Sequence, residues 1–215
     1  MKSKARVSSG NKRAPEAQAR VAAVLAAAEQ LFLKKGLEQT SLREIIASAG
    51  GSKATIRKYF GSKAGLFAEV VTAATARFVA TVDWNGVGHQ PDEALQNIGV
   101  TILRFYLRTD SLAAYRGVVG AGYLQPPMAK AFYEQGHAVI RDVLAAKLSR
   151  WSAQGLLGSQ TGAAEADLFL HLLRSGLYEQ TLIGIRKAVT PAGIEDSVAR
   201  VVRVFLRGIE PEPRS

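Results

Sequence analysis

Basic residues crowd one short stretch of the chain that also holds two helix-capping serines: Lys53, Arg57, Lys58 and Lys63. Ser52 and Ser62 are preferred N-cap residue types, so Lys53 and Lys63 would each take the first position of a helix. A cation there faces the positive end of the helix dipole, at a cost of roughly a few tenths of a kcal/mol. Helix N-termini also bind phosphate, so an external polyanion makes the arrangement favourable. The predicted chemistry is polyanion binding, and the alternative is a pair of solvated surface lysines.

Two short helices would position these side chains. Ser41 and Glu44 have the capping-box spacing, which predicts that the first helix begins here. The glycine pair 50–51 would end that helix, and Ser52 would cap a second one running to about residue 60. Two helices joined by a short glycine turn, with the second one basic on its free face, are typical of the helix-turn-helix that enters a DNA major groove.

The net charge of +10 is concentrated in the same part of the chain. Residues 1–63 hold 13 Lys/Arg against 4 Asp/Glu, whereas residues 64–215 hold 15 against 14. This asymmetry favours nucleic-acid binding by the N-terminal third. A membrane-surface interpretation would need bulky apolar residues opposite the basic face of one helix, and we therefore expect no membrane partner.

Residues 1–15 carry five basic residues and no acidic one, which predicts a disordered tail. Such a tail could follow the DNA backbone or enter a minor groove. It could equally be a solubilising extension.

Composition and spacing argue against several other kinds of site. The chain has no cysteine, no apolar run long enough to span a membrane and no apolar signal-peptide core, which favours a cytoplasmic location. His89, His137 and His171 are isolated in sequence and lack metal-ligand spacing. The run 117–122 reverses a dinucleotide fingerprint without a preceding strand. We therefore expect no cofactor, no metal and no catalysis.

Helical periodicity continues along the chain, without an alternating strand pattern, and predicts an all-α protein of about nine helices. The helix-turn-helix domain spans 16–63, a helical domain spans 64–207 and a tail covers 208–215. The helices are predicted at about 16–35, 41–49, 52–60, 63–83, 91–108, 110–123, 128–154, 163–187 and 191–207.

Residues 17–78 resemble the DNA-binding domain of TetR-family transcriptional regulators. The matching motifs are AAAEQLFLKKG at the end of the first helix, then TSLREI, AGGSKATI, YF and SK, ending at residue 63. The segment 132–157 resembles the ligand domain of the AefR-like subgroup. The sequence departs from the family at Gly51, where an apolar residue is common, and at Ala54, where glycine is common. It also has Arg57 where an aromatic residue is common.

The resemblance implies a DNA-contact surface. It assigns phosphate contacts to Thr40, Tyr59 and Lys63 and a groove-facing surface to Lys53, Thr55 and Arg57. We hypothesise that Arg57 reads a base, because an arginine can bind guanine through two hydrogen bonds, although it could equally clamp a phosphate. The full predicted set is Thr40, Ser41, Ser52, Lys53, Ala54, Thr55, Arg57, Lys58, Tyr59 and Lys63.

The resemblance further implies a small-molecule pocket and a homodimer joined through the last two helices. For each pocket candidate the competing interpretation is ordinary core packing. Gly176 and Gly184 would allow close approach of helices between two subunits, and they could instead serve packing within the chain. The pocket candidates are Phe78, Trp84, Phe105, Tyr106, Tyr115, Tyr123, Phe132 and His137. The dimer candidates are Leu168, Leu172, Gly176, Ile183, Val198, Val202 and Phe205.

The sequence therefore predicts a regulator that binds a palindromic operator in double-stranded DNA as a homodimer. A small hydrophobic or aromatic effector would release this repressor from DNA by a population shift. The alternative is a nucleoid-type protein that binds DNA without sequence preference.

Overall fold

The computed structural model describes residues 13–84, 90–122, 124–158 and 161–208, and all the elements among them are helices. None of these helices is both long and apolar enough to cross a membrane. The helices are α1 Arg13–Lys35, α2 Leu42–Ala49, α3 Lys53–Phe60, α4 Lys63–Val79, α5 Pro91–Tyr106, α6 Thr109–Ala121, α7 Pro126–Phe132, α8 Ala138–Ala153, α9 Ala163–Leu173, α10 Leu177–Leu182 and α11 Pro191–Gly208. The π-helical turn Tyr133–His137 joins α7 to α8 without a break, so these two form one continuous helix.

The first four helices share a small apolar core. Val24 and Ala28 of α1, Ile45 of α2, Ile56 of α3 and Leu66 of α4 are all buried in it. Each residue comes from the periodic stripe of its helix, since one face of every helix is apolar and the opposite face is polar. The predicted three-helix unit is therefore confirmed, with α4 packed against it.

A second, larger core holds the rest of the chain together. α11 packs along α5 and α9, and α8 packs along α9. Gly99 allows the close approach of α5 to α11, because a Cβ atom on it would lie 2.6 Å from a methyl carbon of Val198. Phe169 and Phe205 stack edge to face with ring centroids 5.0 Å apart.

The all-α prediction is confirmed, with differences at several helix ends. The first helix begins three residues earlier than predicted, and α4 ends at Val79 rather than near residue 83. The helix predicted over 163–187 is two helices, because Gly176 adopts a left-handed φ of +61° between α9 and α10. With α7 and α8 counted as one, the described part of the chain holds ten helices instead of nine.

The helix predicted over 128–154 is continuous but not regular. A π-helical turn adds one residue to a turn of the helix and so rotates every later side chain about the axis. Gly136 and His137 are buried as a result, and Gly136 lies against Val71 of α4. Of the tails predicted over 1–15 and 208–215, residues 13–15 begin α1 and residue 208 ends α11, and the rest lie outside the described residues.

Candidate functional site

Serine caps fix the start of each helix in the basic stretch. The Ser41 hydroxyl accepts from the Glu44 N–H at 3.2 Å, and the Ser41 N–H donates to the Glu44 carboxylate at 2.9 Å, which completes the capping box. Lys35 forms an ion pair with the same carboxylate. The Lys35 ammonium and the Ser41 donors lower the pKa of Glu44 to about 2, so the cap stays ionised and joins α1 to α2 at physiological pH.

The second short helix presents its basic residues to solvent. Ser52 accepts from the Thr55 N–H at 3.1 Å, which places Lys53 at the first helical position as predicted. Ile56 points into the core and is 1% exposed, whereas Lys53, Ala54 and Arg57 are exposed. Gly50 ends α2 with a left-handed φ of +69° and thereby sets the angle between the two helices.

The outer end of α3 carries an aromatic ring and a further cation. Tyr59 is 43% exposed, and the Lys58 ammonium lies 5.0 Å from the centroid of its ring. Lys63 begins α4 directly after the Ser62 cap, and its ammonium donates to the Glu38 carbonyl at 3.3 Å. Partial burial lowers the pKa of Lys63. The cations of α3 therefore face solvent on one side, whereas Lys63 also braces the α1–α2 loop.

Thr40 differs from the other predicted DNA contacts. Its side chain is 1% exposed, and its hydroxyl donates to the Gly36 carbonyl at 2.7 Å and to the Leu31 carbonyl at 3.1 Å. The hydroxyl is therefore committed to holding the C-terminal end of α1. This geometry does not support the phosphate contact assigned to the Thr40 side chain.

We expect Thr40→Val to lower the free energy of unfolding by about 1–2 kcal/mol, because two carbonyls lose their buried donor. DNA affinity measured well below the melting temperature should be unchanged. Thr55→Val is the matched control. The half-exposed Thr55 hydroxyl lies on α3, so its loss should weaken DNA binding and change the melting temperature little. A loss of DNA affinity by Thr40→Val at unchanged stability would contradict the structural role.

A cavity of about 510 Å³ lies between α1, α4, α5, α6 and the π-helical turn. Phe78 and Phe105 stack in its wall with ring centroids 4.1 Å apart. Six of the eight aromatic and histidine candidates line it: Phe78, Phe105, Tyr106, Tyr115, Phe132 and His137.

The other two candidates fall elsewhere. Trp84 lines a separate, smaller depression with Val139 and Val143, and its indole N–H donates to the Val79 carbonyl at 2.8 Å. Trp84 therefore closes the end of α4 and does not belong to the large cavity. Tyr123 lies outside the described residues.

One side of the cavity carries a polar cluster that the sequence did not reveal. His137 Nε2 lies 2.6 Å from Asp167 Oδ1, and Arg174 Nη2 lies 3.0 Å from His137 Nδ1. An arginine only donates, so Nδ1 accepts and Nε2 carries the proton that is donated to Asp167. Burial lowers the pKa of His137, in agreement with a neutral ring.

The expectation that the histidines are isolated is wrong for His137 and His171. Their rings lie 5.4 Å apart, and possible ligand atoms of His137, Asp167 and His171 lie within 4.8 Å of one another. Asp167 and His171 are four residues apart on α9, a spacing that places both on one face and could have been seen in the sequence. A metal ion would need a ring nitrogen of His137, and both are used in hydrogen bonds here.

The dimer candidates divide into two groups. Leu168 and Ile183 are exposed by 52% and 63%, and Leu172 is half-buried. Val198, Val202 and Phe205 are instead at most 5% exposed within the core of the same chain, where they pack against α5 and α9. Their assignment to a dimer surface is therefore wrong, because the apolar stripe of α11 faces inward.

Two family models match the sequence. That of bacterial regulatory proteins of the tetR family matches residues 24–70. That of the AefR-like transcriptional repressor C-terminal domain matches residues 93–208, just over half of the chain. The chain therefore belongs to the TetR family of transcriptional regulators, with an AefR-like C-terminal domain.

Solved structures of the same family share the fold. A TetR-family regulator from Mesorhizobium loti is similar with a TM-score of 0.77 at 20% identity, over 90% of this chain and 98% of the other. A TetR regulator from Agrobacterium tumefaciens gives 0.73 at 23% identity, over 90% and 95%. FrrA, a flavonoid-responsive regulator, gives 0.75 at 28% identity, over 90% and 98%. No curated protein matches the sequence.

These findings confirm the predicted class of function. The protein is a DNA-binding transcriptional regulator of a family whose members are typically ligand-responsive repressors. The family and the structural neighbours are regulators and not enzymes. The nucleoid-type alternative is not supported.

Proposed function

We propose that the protein represses transcription as a homodimer on a palindromic operator and is released when a small molecule fills the cavity. The observation that carries this proposal is the path of α4. The helix begins at Lys63, three residues after the end of α3 at Phe60, and its later residues Val71 and Phe78 line the cavity. α4 therefore contacts both α3, the recognition helix predicted to enter the DNA major groove, and the cavity that we propose as the effector site.

The release mechanism is a shift between two positions of α4. An effector that packs against Val71 and Phe78 stabilises the position of α4 that fits the filled cavity. In a dimer, a small rotation of α4 changes the distance between the two copies of α3. Both copies must enter successive major grooves, so DNA and effector favour different states and oppose each other.

An exposed apolar surface supports the homodimer. Leu168, Ile183, Ile185 and Val204 are between 52% and 74% exposed, and they lie on α9, on α11 and around the end of α10. Exposed apolar side chains that lie near one another on a surface indicate an interface. Two-fold symmetry would also double the number of bases read by α3.

A hydrophobic or aromatic effector fits the walls of the cavity, since the stacked pair Phe78 and Phe105 forms one of them. The similar regulator FrrA is flavonoid-responsive, which supports an aromatic ligand for this fold. We propose that this regulator acts in the cytoplasm and needs no cofactor or metal.

Selection of bound sequences from a random DNA pool tests the proposal. The expected result is a palindromic consensus of two half-sites, with their centres about one helical turn or a multiple of it apart. A flat profile together with equal affinity for random DNA would overturn it in favour of binding without sequence preference.

We expect Arg57→Ala to reduce the ratio of specific to non-specific DNA affinity by about tenfold, because a bidentate contact to guanine contributes about 1–3 kcal/mol of discrimination. Arg57 is exposed near the middle of α3, and it has no hydrogen-bond partner among the described residues. Lys58→Ala, at the neighbouring exposed position, should weaken both affinities alike. Fluorescence anisotropy with the selected operator and a scrambled duplex measures both. If Arg57→Ala lowers specific and non-specific DNA affinity by the same factor, Arg57 contacts a phosphate and not a base.

A further inference from the structure

We infer that the effector is an apolar carboxylic acid whose carboxylate binds Arg174 and the Tyr106 hydroxyl in this cavity. This inference rests on the proposed function, because it names the chemistry of the molecule that fills the effector site. It follows from the polar groups of the cavity wall and from the partners that each of them has.

Four arginines line the cavity, and three of them already have a carboxylate. Arg77 pairs with Glu29, Arg104 with Glu195 at 3.2 Å and Arg108 with Asp110 at 2.6 Å. Arg174 is different: no carboxylate among the described residues forms an ion pair with it. The partners that the described residues provide for its guanidinium are the Tyr106 and Tyr115 rings and the His137 imidazole.

The neutral groups around Arg174 hold its guanidinium in place. The guanidinium carbon lies 4.8 Å from the centroid of the Tyr106 ring and 5.5 Å from that of Tyr115. On a third side, His137 Nδ1 accepts from Nη2. His137 is in turn held by Asp167, whose carboxylate accepts from Nε2. Arg174 is therefore oriented before any ligand arrives, which reduces the entropy lost on binding.

Two buried donors of the cavity wall lack a partner among the described residues: the Tyr106 hydroxyl and Arg174 Nε. Burial raises the pKa of Tyr106, and the charge and proximity of the Arg174 guanidinium only partly offset this, so the phenol keeps its proton. Both groups donate, and a buried donor without an acceptor is unfavourable. A carboxylate supplies two acceptor oxygens and the negative charge that the guanidinium lacks.

The same groups disfavour two other ligands. A cation placed here would meet the guanidinium and would have to displace the hydrogen bonds of His137. A neutral hydrocarbon would fill the aromatic wall around Phe78 and Phe105 but would leave both donors unpaired. An apolar carboxylic acid matches both parts of the wall. Its carboxylate would bind Arg174 and Tyr106, and its apolar body would pack against Phe78 and Phe105.

Isothermal titration calorimetry on the full chain tests the inference without DNA. The probes are the phenylalkanoates from phenylacetate to phenyloctanoate and the alcohols of the same carbon skeletons. We expect the acid that binds most tightly to bind at least about tenfold more tightly than its alcohol, since charge-assisted hydrogen bonds to a pre-oriented guanidinium are strong. Arg174→Met should reduce this ratio to near one, because the acid loses much more affinity than its alcohol. Arg174→Lys should restore part of it.

Two further variants separate this role from a general effect on the fold. Tyr106→Phe should weaken acid binding about fivefold without lowering the melting temperature, because it removes a hydroxyl that forms no well-aligned hydrogen bond with the described residues. Arg104→Met is the matched control: it removes a cavity arginine that already pairs with Glu195, so the ratio should not change.

Three results would overturn the inference: equal binding of acids and alcohols, no binding by either series, or stabilisation by Zn²⁺ alone at the His137 cluster. None of these would affect the palindromic consensus, so failure of this inference is distinct from failure of the regulator proposal. Conversely, a flat DNA profile with a preserved acid preference would leave the inference standing and remove the proposed function.

Discussion

Gly65→Ala is expected to lower operator affinity by at least about tenfold while the effector cavity remains intact. Gly65 lies in the first turn of α4, where a Cβ atom would lie 2.0 Å from the Phe60 carbonyl oxygen at the end of α3. That contact is with backbone and cannot be relieved by a side-chain rotation. α3 and α4 must therefore move apart. The recognition helix α3 then leaves the position in which Ile56 packs near Leu66 in the small core.

The control for Gly65→Ala is the same substitution at an open helical site. Gly120 lies on α6, and a Cβ atom there would meet no atom within 4 Å. Gly120→Ala should keep operator affinity and gain up to about 1 kcal/mol of stability from its better helix propensity. Fluorescence anisotropy measures operator affinity, and the fluorescence of anilinonaphthalene sulfonate reports whether the cavity still forms. Wild-type operator affinity in Gly65→Ala would mean that the spacing of α3 and α4 does not control DNA binding.

Local chemistry made the DNA-binding unit predictable from the sequence. The three capping serines begin α2, α3 and α4 where the sequence places them, since a cap depends only on residues within one turn. The inward face of α3 was equally clear, because Ile56 and Phe60 lie four residues apart in a helix whose other side is basic. The structural role of Thr40 could not be predicted from its near neighbours in sequence, because its hydroxyl bonds to carbonyls at the end of α1.

The second half was harder because periodicity shows which face of a helix is apolar but not what that face packs against. The stripe of α11 looks the same whether it meets a partner or the core, and only the packing of Val198 against Gly99 decides for the core. The π-helical turn at 133–137 has no propensity signal, yet it directs His137 towards Arg174. In the cluster of His137, Asp167 and Arg174, His137 comes from a different helix, 30 residues before Asp167, so periodicity could not show that it joins the other two.

Ala114→Trp is expected to make the regulator unresponsive to its effector while it still binds the operator. Ala114 lies on α6 and lines the cavity of about 510 Å³, so an indole there would occupy the space that the ligand needs. Because Ala114 itself is not part of the core formed by Ile45, Ile56 and Leu66, DNA affinity without effector should stay within about twofold. The effector concentration that releases half of the operator should rise at least about a hundredfold, since an effector excluded from the cavity cannot favour either position of α4.

Val119→Trp is the matched control for Ala114→Trp, because Val119 is on the same helix but 65% exposed and outside the cavity. It should bind anilinonaphthalene sulfonate and release DNA as the wild type does, whereas Ala114→Trp should do neither. Release of Ala114→Trp at the wild-type effector concentration would place the effector site elsewhere. Loss of DNA binding by Ala114→Trp without effector would instead mean that filling the cavity is itself the releasing event, and that the indole acts as a built-in effector held against Phe78 and Val71 of α4.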